Sequence, residues 1–392
     1  MNTVKCEPAF PRSGTSRSVA FIYPPLFKYR VRFHEEVRRR LLAHNIEYRV
    51  LYCDPPPKLV LRNDTCDMPW ATKTRAYRFN WNSREVIFQG AIAKLRGLDL
   101  IVMQQENRLL LNYFIHILRI FGTSRIAYFG HGRNFQSRNP GGISERFKRF
   151  IATRVDWWFA YNDMSARLVA GFGFPPERIT SVQNSVDISD LIKEIASVGP
   201  DELSSLRATL GLCGSNVGIF IGGLYKEKRV PFLIDAAILI RQRMPDFELI
   251  VVGGGDEADK AKALAKGLDF IHFMGPQHGR KKTLLALLSK VFLLPGAVGL
   301  AVLDAFAYGL PIITIAGTFH GPEMDYLTPG VNGIVVEDAS STSAYADAVV
   351  GLLEDTVRQQ EMAHAARDSS AQYSIDAMAE NFVIGVLAAL DC

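Results

Sequence analysis

What most constrains this chain is a series of short, near-continuous apolar runs separated by helix-length segments. In the first half they fall at 18–23 (SVAFIY), 47–52, 98–103, 125–130 and 156–161, with amphipathic stretches such as Val31–His44 and Ser144–Thr153 between them. In the second half they fall at 217–223 (VGIFIGG), 247–253, 270–274, 291–295 and 311–317. Strands that are apolar on both faces belong to parallel sheets covered by helices on each side. Two such series within 392 residues predict an α/β protein of two doubly wound, Rossmann-like domains, with ligands at the carboxyl ends of the strands. The polar stretch VDISDLIKEIASVGPDELSSLRATLG puts the boundary near 185–215. The expected division is 1–188, 189–372, and a terminal helix at 373–392 packing back on the first domain.

Composition narrows the class. Hydrophobic residues make up 48% and charged residues 22%, as in a globular protein and unlike a disordered one. The longest apolar candidate, Leu109–Phe121, is too short to span a bilayer and is broken by Asn112, His116 and Arg119. The opening MNTVKCEPAFPRSG lacks the apolar core of a secretory signal. Cys6, Cys53, Cys66, Cys213 and Cys392 show no metal-ligand spacing and read as free thiols of a reducing compartment, so the expectation is a cytoplasmic protein. Residues 1–192 hold 29 Lys+Arg against 16 Asp+Glu, whereas 193–392 hold 16 against 24. A basic first half suits an anionic substrate, nucleic acid or an anionic membrane surface, or it is simply a solvated basic face. Arg38-Arg39-Arg40, Arg146, Lys148, Arg149 and the Trp157-Trp158 pair are candidates for docking on the inner face of a membrane. The simpler account of the tryptophans is a buried strand. No GxGxxG follows SVAFIY and no Walker lysine loop follows any strand, which argues against a dehydrogenase and a P-loop NTPase. Nucleic acid is not an expected partner, because it would leave the second half unexplained.

Three strand ends of the second half carry unusual residues. The segment GLAVLDAFAYGLP describes a helix opening on Gly299, with Leu300 in its first turn, one carboxylate at Asp304, and a left-handed stop at Gly309 before Pro311. A bare first turn leaves amides at the positive end of the helix dipole, where a diphosphate fits. Taken alone, the same segment is equally a buried helix with an incidental Asp. After VGIFI come Gly222 and Gly223, then Lys226, Lys228 and Arg229 where the next helix starts. Cations there oppose the dipole by about 0.3–1 kcal/mol each, which makes sense if an anion lies between them. After FELIVVG comes a glycine turn containing Gly254 and Gly255, through which backbone can approach a ring or phosphate. Together the three ends describe a nucleoside-diphosphate site.

The order of these elements resembles the donor-binding half of GT-B-fold glycosyltransferases, in particular the retaining group 1 or family 4 type. The family's G-R-L-x-x-x-K-G segment is similar to Gly222–Arg229, with Lys228 on its diphosphate-binding lysine and Gly223 where an arginine usually stands. Its V-G-x-G turn resembles Val252–Gly255, and its nucleobase-contacting F-x-G segment resembles Phe273-Met274-Gly275. The N-G-V-D signature looks like Asn184–Asp187, and the glycine–glutamate turn and G-x-N-G look like Gly321-Pro322-Glu323 and Gly330–Gly333. The histidine that the family brings over the donor sugar resembles His131 of YFGHGRN; its alternative is a loop histidine with surface contacts only. The family's E-x7-E pair reads as Gly296 and Asp304, so one carboxylate is missing and the other is a methylene shorter.

The resemblance implies transfer of a sugar from a UDP- or GDP-sugar to a saccharide or lipid-linked acceptor, with retention, without cofactor or metal, in cell-surface polysaccharide synthesis. It makes 1–188 the acceptor domain and 189–372 the donor domain, two Rossmann-like domains facing across a cleft. Lys228, with Lys226 or Arg229 and the amides at Gly299–Leu300, would hold the leaving diphosphate, Asp304 the ribose, and His131 and Glu323 the sugar. Gly222, Gly223, Gly254 and Gly275 would bring backbone to the donor. The losses at Gly296 and Gly223 keep two alternatives open: a scaffold without catalysis, and a GT-B sugar-nucleotide epimerase.

Overall fold

The computed structural model describes residues 16–56, 65–81, 84–122, 124–132, 143–317 and 320–392. Cys6, the Arg133-Asn134 continuation of the His131 loop and the side chain of Lys148 lie outside the described residues. The chain divides into two compact units: unit 1 is Met1–Asp187 with Ile375–Cys392, and unit 2 is Ile188–Ser374.

Unit 1 is built on a parallel sheet of β1 (Arg17–Ile22), β2 (Ile46–Cys53), β3 (Thr72–Thr74), β6 (Leu100–Gln104), β7 (Arg125–Gly130), β8 (Trp157–Ala160) and β9 (Ile179–Ser181), in the order β3-β2-β1-β6-β7-β8-β9. An antiparallel hairpin, β4 (Ala76–Trp81) and β5 (Arg84–Gln89), is inserted before β6. Among the described residues, the helices that connect the strands are α1 (Val31–Ala43), α2 (Leu110–Phe121), α3 (Ile143–Ala152) and α4 (Asp163–Ala170). The start of α4 is fixed by Asn162, whose side chain accepts from the Ser165 amide at 3.0 Å. β8 is buried along its whole length, as a central parallel strand requires. Trp157 donates to Thr180 Oγ1 at 2.9 Å and Trp158 to the Ala152 carbonyl at 2.7 Å, so the buried-strand alternative holds and neither ring can reach a membrane.

Unit 2 opens with α5 (Ser189–Ala196) and α6 (Pro200–Leu210) and then winds twice around a second parallel sheet. Its strands are β10 (Asn216–Ile221), β11 (Phe247–Val252), β12 (Ile271–Gly275), β13 (Val291–Leu293), β14 (Ile312–Ile315) and β15 (Gly333–Val336), in the order β12-β11-β10-β13-β14-β15. The covering helices are α7 (Val230–Arg243), α8 (Ala258–Leu264), α9 (Gly279–Leu287), α10 (Ala301–Tyr308), α11 (Thr342–Glu354) and α12 (Thr356–Gln372). All six residues of β11 are buried. The chain order reverses between β10 and β13, and a crevice at that switch point is where doubly wound sheets bind ligands.

The chain ends in α13 (Ile375–Asp391), which returns to unit 1 and packs on α1 and the sheet. Phe382 is wholly buried there, with its ring 4.4 Å from that of Phe159 and 5.4 Å from that of Phe33. Truncating such a ring costs about 3–5 kcal/mol, so the last helix is part of the core of unit 1.

Candidate functional site

The loops leaving β10, β11, β12, β13 and β14 gather at the carboxyl edge of the unit 2 sheet. The Gly222 amide donates to Val252 O at 3.0 Å, Leu224 to Gly254 O at 2.9 Å, and Gly253 to Gly275 O at 2.9 Å. These bonds stitch the first three loops together. Gly253, at φ +145°, comes so near that a Cβ would sit 1.8 Å from the Gly222 carbonyl oxygen, so only glycine fits. Gly222, Gly254 and Gly275 therefore hold loop to loop.

The lysine loop follows β10. Lys226–Lys228 form a single 3₁₀ turn, and Arg229 adopts a left-handed conformation (φ +54°) immediately before α7. Lys226 is exposed. Arg229 donates to the Ala339 carbonyl at 2.8 Å and lies over the Phe232 ring at 4.3 Å, so its guanidinium is spent on the fold. Lys228 points the other way, into the loop after β13, where its Nζ donates to the Ala297 carbonyl. Burial pulls its pKa below the usual lysine range, and the nearby Glu323 carboxylate opposes that shift. A half-buried ammonium at a switch point is a prepared counter-charge for an anion.

Gly296 explains how Lys228 is held. The Ala297 amide donates to Glu227 O at 2.9 Å, and a Cβ on Gly296 would lie 2.3 Å from that oxygen and 2.5 Å from Lys228 C and Cα. The lysine loop occupies the space that a carboxylate at this position would need. The missing first acid and the seating of Lys228 are thus one feature. Gly223 differs, since its neighbour is the mobile end of the exposed Tyr225 side chain, 2.2 Å from a built Cβ.

Among the described residues no side chain caps α10; the Val302 and Leu303 amides donate back to the Gly299 and Leu300 carbonyls at 3.0 Å each, which leaves the amides of Gly299, Leu300 and Ala301 as the candidates for an outside acceptor. The helix ends at Gly309 in the left-handed conformation (φ +68°, ψ +38°). Asp304 lies in the first turn and accepts from Lys282 Nζ of α9 at 2.9 Å, a partner not anticipated from sequence. Glu323 is buried on a 3₁₀ turn after β14. His320, beside it, was missed. Its Nδ1 accepts from the Val298 amide at 3.1 Å and its Nε2 donates to Ile315 O at 2.8 Å, tying the β13 and β14 loops together. Burial lowers its pKa, and the Lys228 charge adds to the effect. Nothing in the local sequence marks it apart from its place before Gly321.

The remaining resembling motifs are structural in their observed contacts. Buried Asn332 accepts from the Thr328 amide at 2.8 Å and donates to Tyr326 O at 3.0 Å, closing its turn. In unit 1, the Asn184 side chain and Ser185 carbonyl accept from buried Arg30, and Asp187 pairs with Arg32 at 3.0 Å. His131 follows β7 with its ring 3.9 Å from that of Tyr161.

Residues 215–355 match the family described as glycosyl transferases group 1, a span that takes in all six unit 2 strands and the loops just described. Spore coat protein SA of Bacillus subtilis is 24% identical over 229 residues, covering 54% of this chain and 59% of that protein. The phosphatidyl-myo-inositol mannosyltransferase of Mycobacterium leprae is 25% identical over 207 residues, covering 50% and 53%. The chain thus spans little more than half the length of these relatives. The structure of Anabaena Alr3699/HepE in complex with UDP superposes with a TM-score of 0.68 at 18% identity, covering 95% of this chain and 100% of that one. The fold is the two-sheet α/β architecture of GT-B glycosyltransferases, and the stretch similar to the group 1 family lies within unit 2.

Proposed function

We propose that this protein is a glycosyltransferase that takes its sugar from a nucleoside-diphosphate donor. The observation that carries the reading is Lys228, a half-buried ammonium seated at the switch point beside the uncapped start of α10. Cleaving a sugar–diphosphate bond develops negative charge on the leaving oxygen, and a preorganised cation with exposed amides stabilises that charge more than it stabilises the ground state. Asp304 accepts from the ribose hydroxyls once Lys282 shares it. Glu323 and the amides at Gly299–Leu300 orient the sugar and diphosphate. Lys226, exposed on the same turn, adds positive potential at the entrance.

The finer assignments rest on likeness. UDP and UDP-glucose complexes of the Anabaena protein support a UDP-sugar, and a second relative, the GDP-mannose-dependent phosphatidylinositol monomannoside mannosyltransferase of Mycolicibacterium smegmatis (30% identical over 181 residues), supports GDP-mannose equally. Retention of configuration, a saccharide or lipid-linked acceptor held by unit 1 with His131 on the sugar, independence of metal and cofactor, and a role in cell-surface polysaccharide synthesis belong to this proposal. A second reading, a nucleotide-binding subunit without turnover, is favoured by the closed space at Gly296 and the ion pair on Asp304.

Incubation with UDP- and GDP-sugars, with and without glycan acceptors, tests both by release of nucleoside diphosphate. Turnover of any donor supports the transferase. Tight donor binding with no release supports the subunit, and no binding of any donor overturns both.

A further inference from the structure

Helix α2 has its polarity inverted. A surface helix of a globular protein faces its apolar stripe inward and its polar residues to water. In α2, Leu111 and Ile115 do face the core, but the polar side chains turn inward with them. Asn112 is buried and donates to Gln104 O at 2.8 Å; His116 meets the Tyr128 hydroxyl at 2.8 Å; Arg119 is bound by Asp156 and by Arg154 O at 2.9 Å. What α2 presents outward is Leu110, Phe114, Ile117, Leu118 and Ile120, the last 77% exposed.

The neighbouring helix extends this face. Tyr113 of α2 and Phe147 of α3 have ring centroids 5.8 Å apart. Phe147 and Phe150 are 46% and 56% exposed, one turn apart, and alternate with exposed Arg146 and Arg149. Arg154 lies 4.6 Å over the Phe150 ring. Two arginines of the other cluster, on α1, are instead paired with carboxylates: Arg39 with Glu36 at 2.7 Å and Arg40 with Glu380 at 3.5 Å.

We infer that the α2–α3 face of unit 1 is a docking surface for an anionic lipid bilayer, with α2 and the two phenylalanines entering the headgroup–acyl boundary and Arg146, Arg149 and Arg154 meeting lipid phosphates. Aromatic and aliphatic side chains interleaved with arginine suit that boundary, since the apolar parts bury while the guanidinium heads stay at the charged layer. A second copy is a poor occupant, because a two-fold contact through this face would set each arginine row against its own image. The inference goes beyond the donor-site reading and stands without it.

Flotation of the full chain with phosphatidylcholine vesicles, with and without phosphatidylserine, at physiological salt tests it. The wild type is expected to float with the anionic vesicles and much less with the neutral ones. Each arginine near an anionic surface is worth about fivefold in partitioning, so R146Q/R149Q should lower binding by about 25-fold. I117S/I120S, at exposed positions, should lower it at least about tenfold through lost apolar burial, with the melting temperature unchanged. Failure of the wild type to bind anionic vesicles, or wild-type binding by both variants, overturns the inference. So does a wild-type dimer in lipid-free solution that I117S/I120S converts to monomer, because a second copy would then cover the face.

Discussion

Adding a single methyl group at Gly296 should do more damage than its size suggests. A Cβ there would stand 2.3 Å from the Glu227 carbonyl oxygen and 2.5 Å from Lys228 C and Cα, about 1 Å inside ordinary contact. The obstacle is backbone, which has no rotamer to escape into, so the lysine loop or the β13 loop must move. Overpacking of this kind costs about 1–3 kcal/mol. For a unit of this size each kcal/mol lowers the melting temperature by about 2–4 °C, so Gly296→Ala should drop the unit 2 transition by about 2–12 °C. The same movement carries Lys228 off the Ala297 carbonyl, so the rise in melting temperature produced by UDP or GDP should shrink as well. Gly296→Glu, which would restore the family's carboxylate, should be no better. Thermal denaturation with and without nucleotide measures both effects. A Gly296→Ala protein that melts with the wild type and keeps its full nucleotide-induced rise would refute the argument that the lysine loop fills this space.

Two other perturbations follow from single contacts. Asp304→Ala should weaken donor affinity by about 10–100-fold with little change in kcat, the scale of hydrogen bonds to a charged group; Lys282→Met should weaken it less, because Asp304 remains available to the ribose. An Asp304→Ala protein with unchanged KM would contradict the ribose role. In unit 1, His34 is fully buried with Nδ1 2.8 Å from the Tyr48 hydroxyl, and burial, aided by the Arg30 charge, pulls its pKa down to about 3. Because the folded value lies below the unfolded one of about 6.5, the unfolded chain takes up this proton first. His34 therefore costs no stability above that range and removes about 1.4 kcal/mol per pH unit as pH falls from about 6.5 toward 3. Denaturant titrations across that window should show a shallower pH dependence for His34→Gln, and equal slopes would contradict this account.

The fold was legible because parallel strands buried on both faces leave runs that nothing else explains. The run FELIVV became β11 with every residue buried, and Gly309 and Pro311 bracketed the end of α10 and the start of β14 as turn chemistry requires. The strands without such a run are short or polar: TKT of β3, ITS of β9, and the β4–β5 hairpin, whose Tyr77 and Phe79 are exposed. Within the site, position in sequence located the loops but not the direction of their side chains. Lys228 and Arg229 are neighbours, yet one faces Ala297 and the other Ala339, because the left-handed turn at Arg229 separates them. Gly296 read as a lost ligand, since a clash with backbone 68 residues away in the chain leaves no local trace. Lys282 and His320 belong to other loops and gain their roles only when the strands are side by side. The apolar run at Leu109–Phe121 is plain in the sequence, but its outward face depends on His116 and Arg119 turning in, which spacing alone does not dictate.

The central claim is that Lys228 grips a diphosphate at the carboxyl edge of the unit 2 sheet. Calorimetric titration of the wild-type chain and of Lys228→Ala with UDP and with GDP tests it most directly. The account predicts one-to-one binding of at least one of the two by the wild type, weakened by about 10–150-fold in the variant, the span expected for a lost charge-assisted contact. Equal affinities in the two proteins, or no binding of either nucleotide by the wild type, would contradict it.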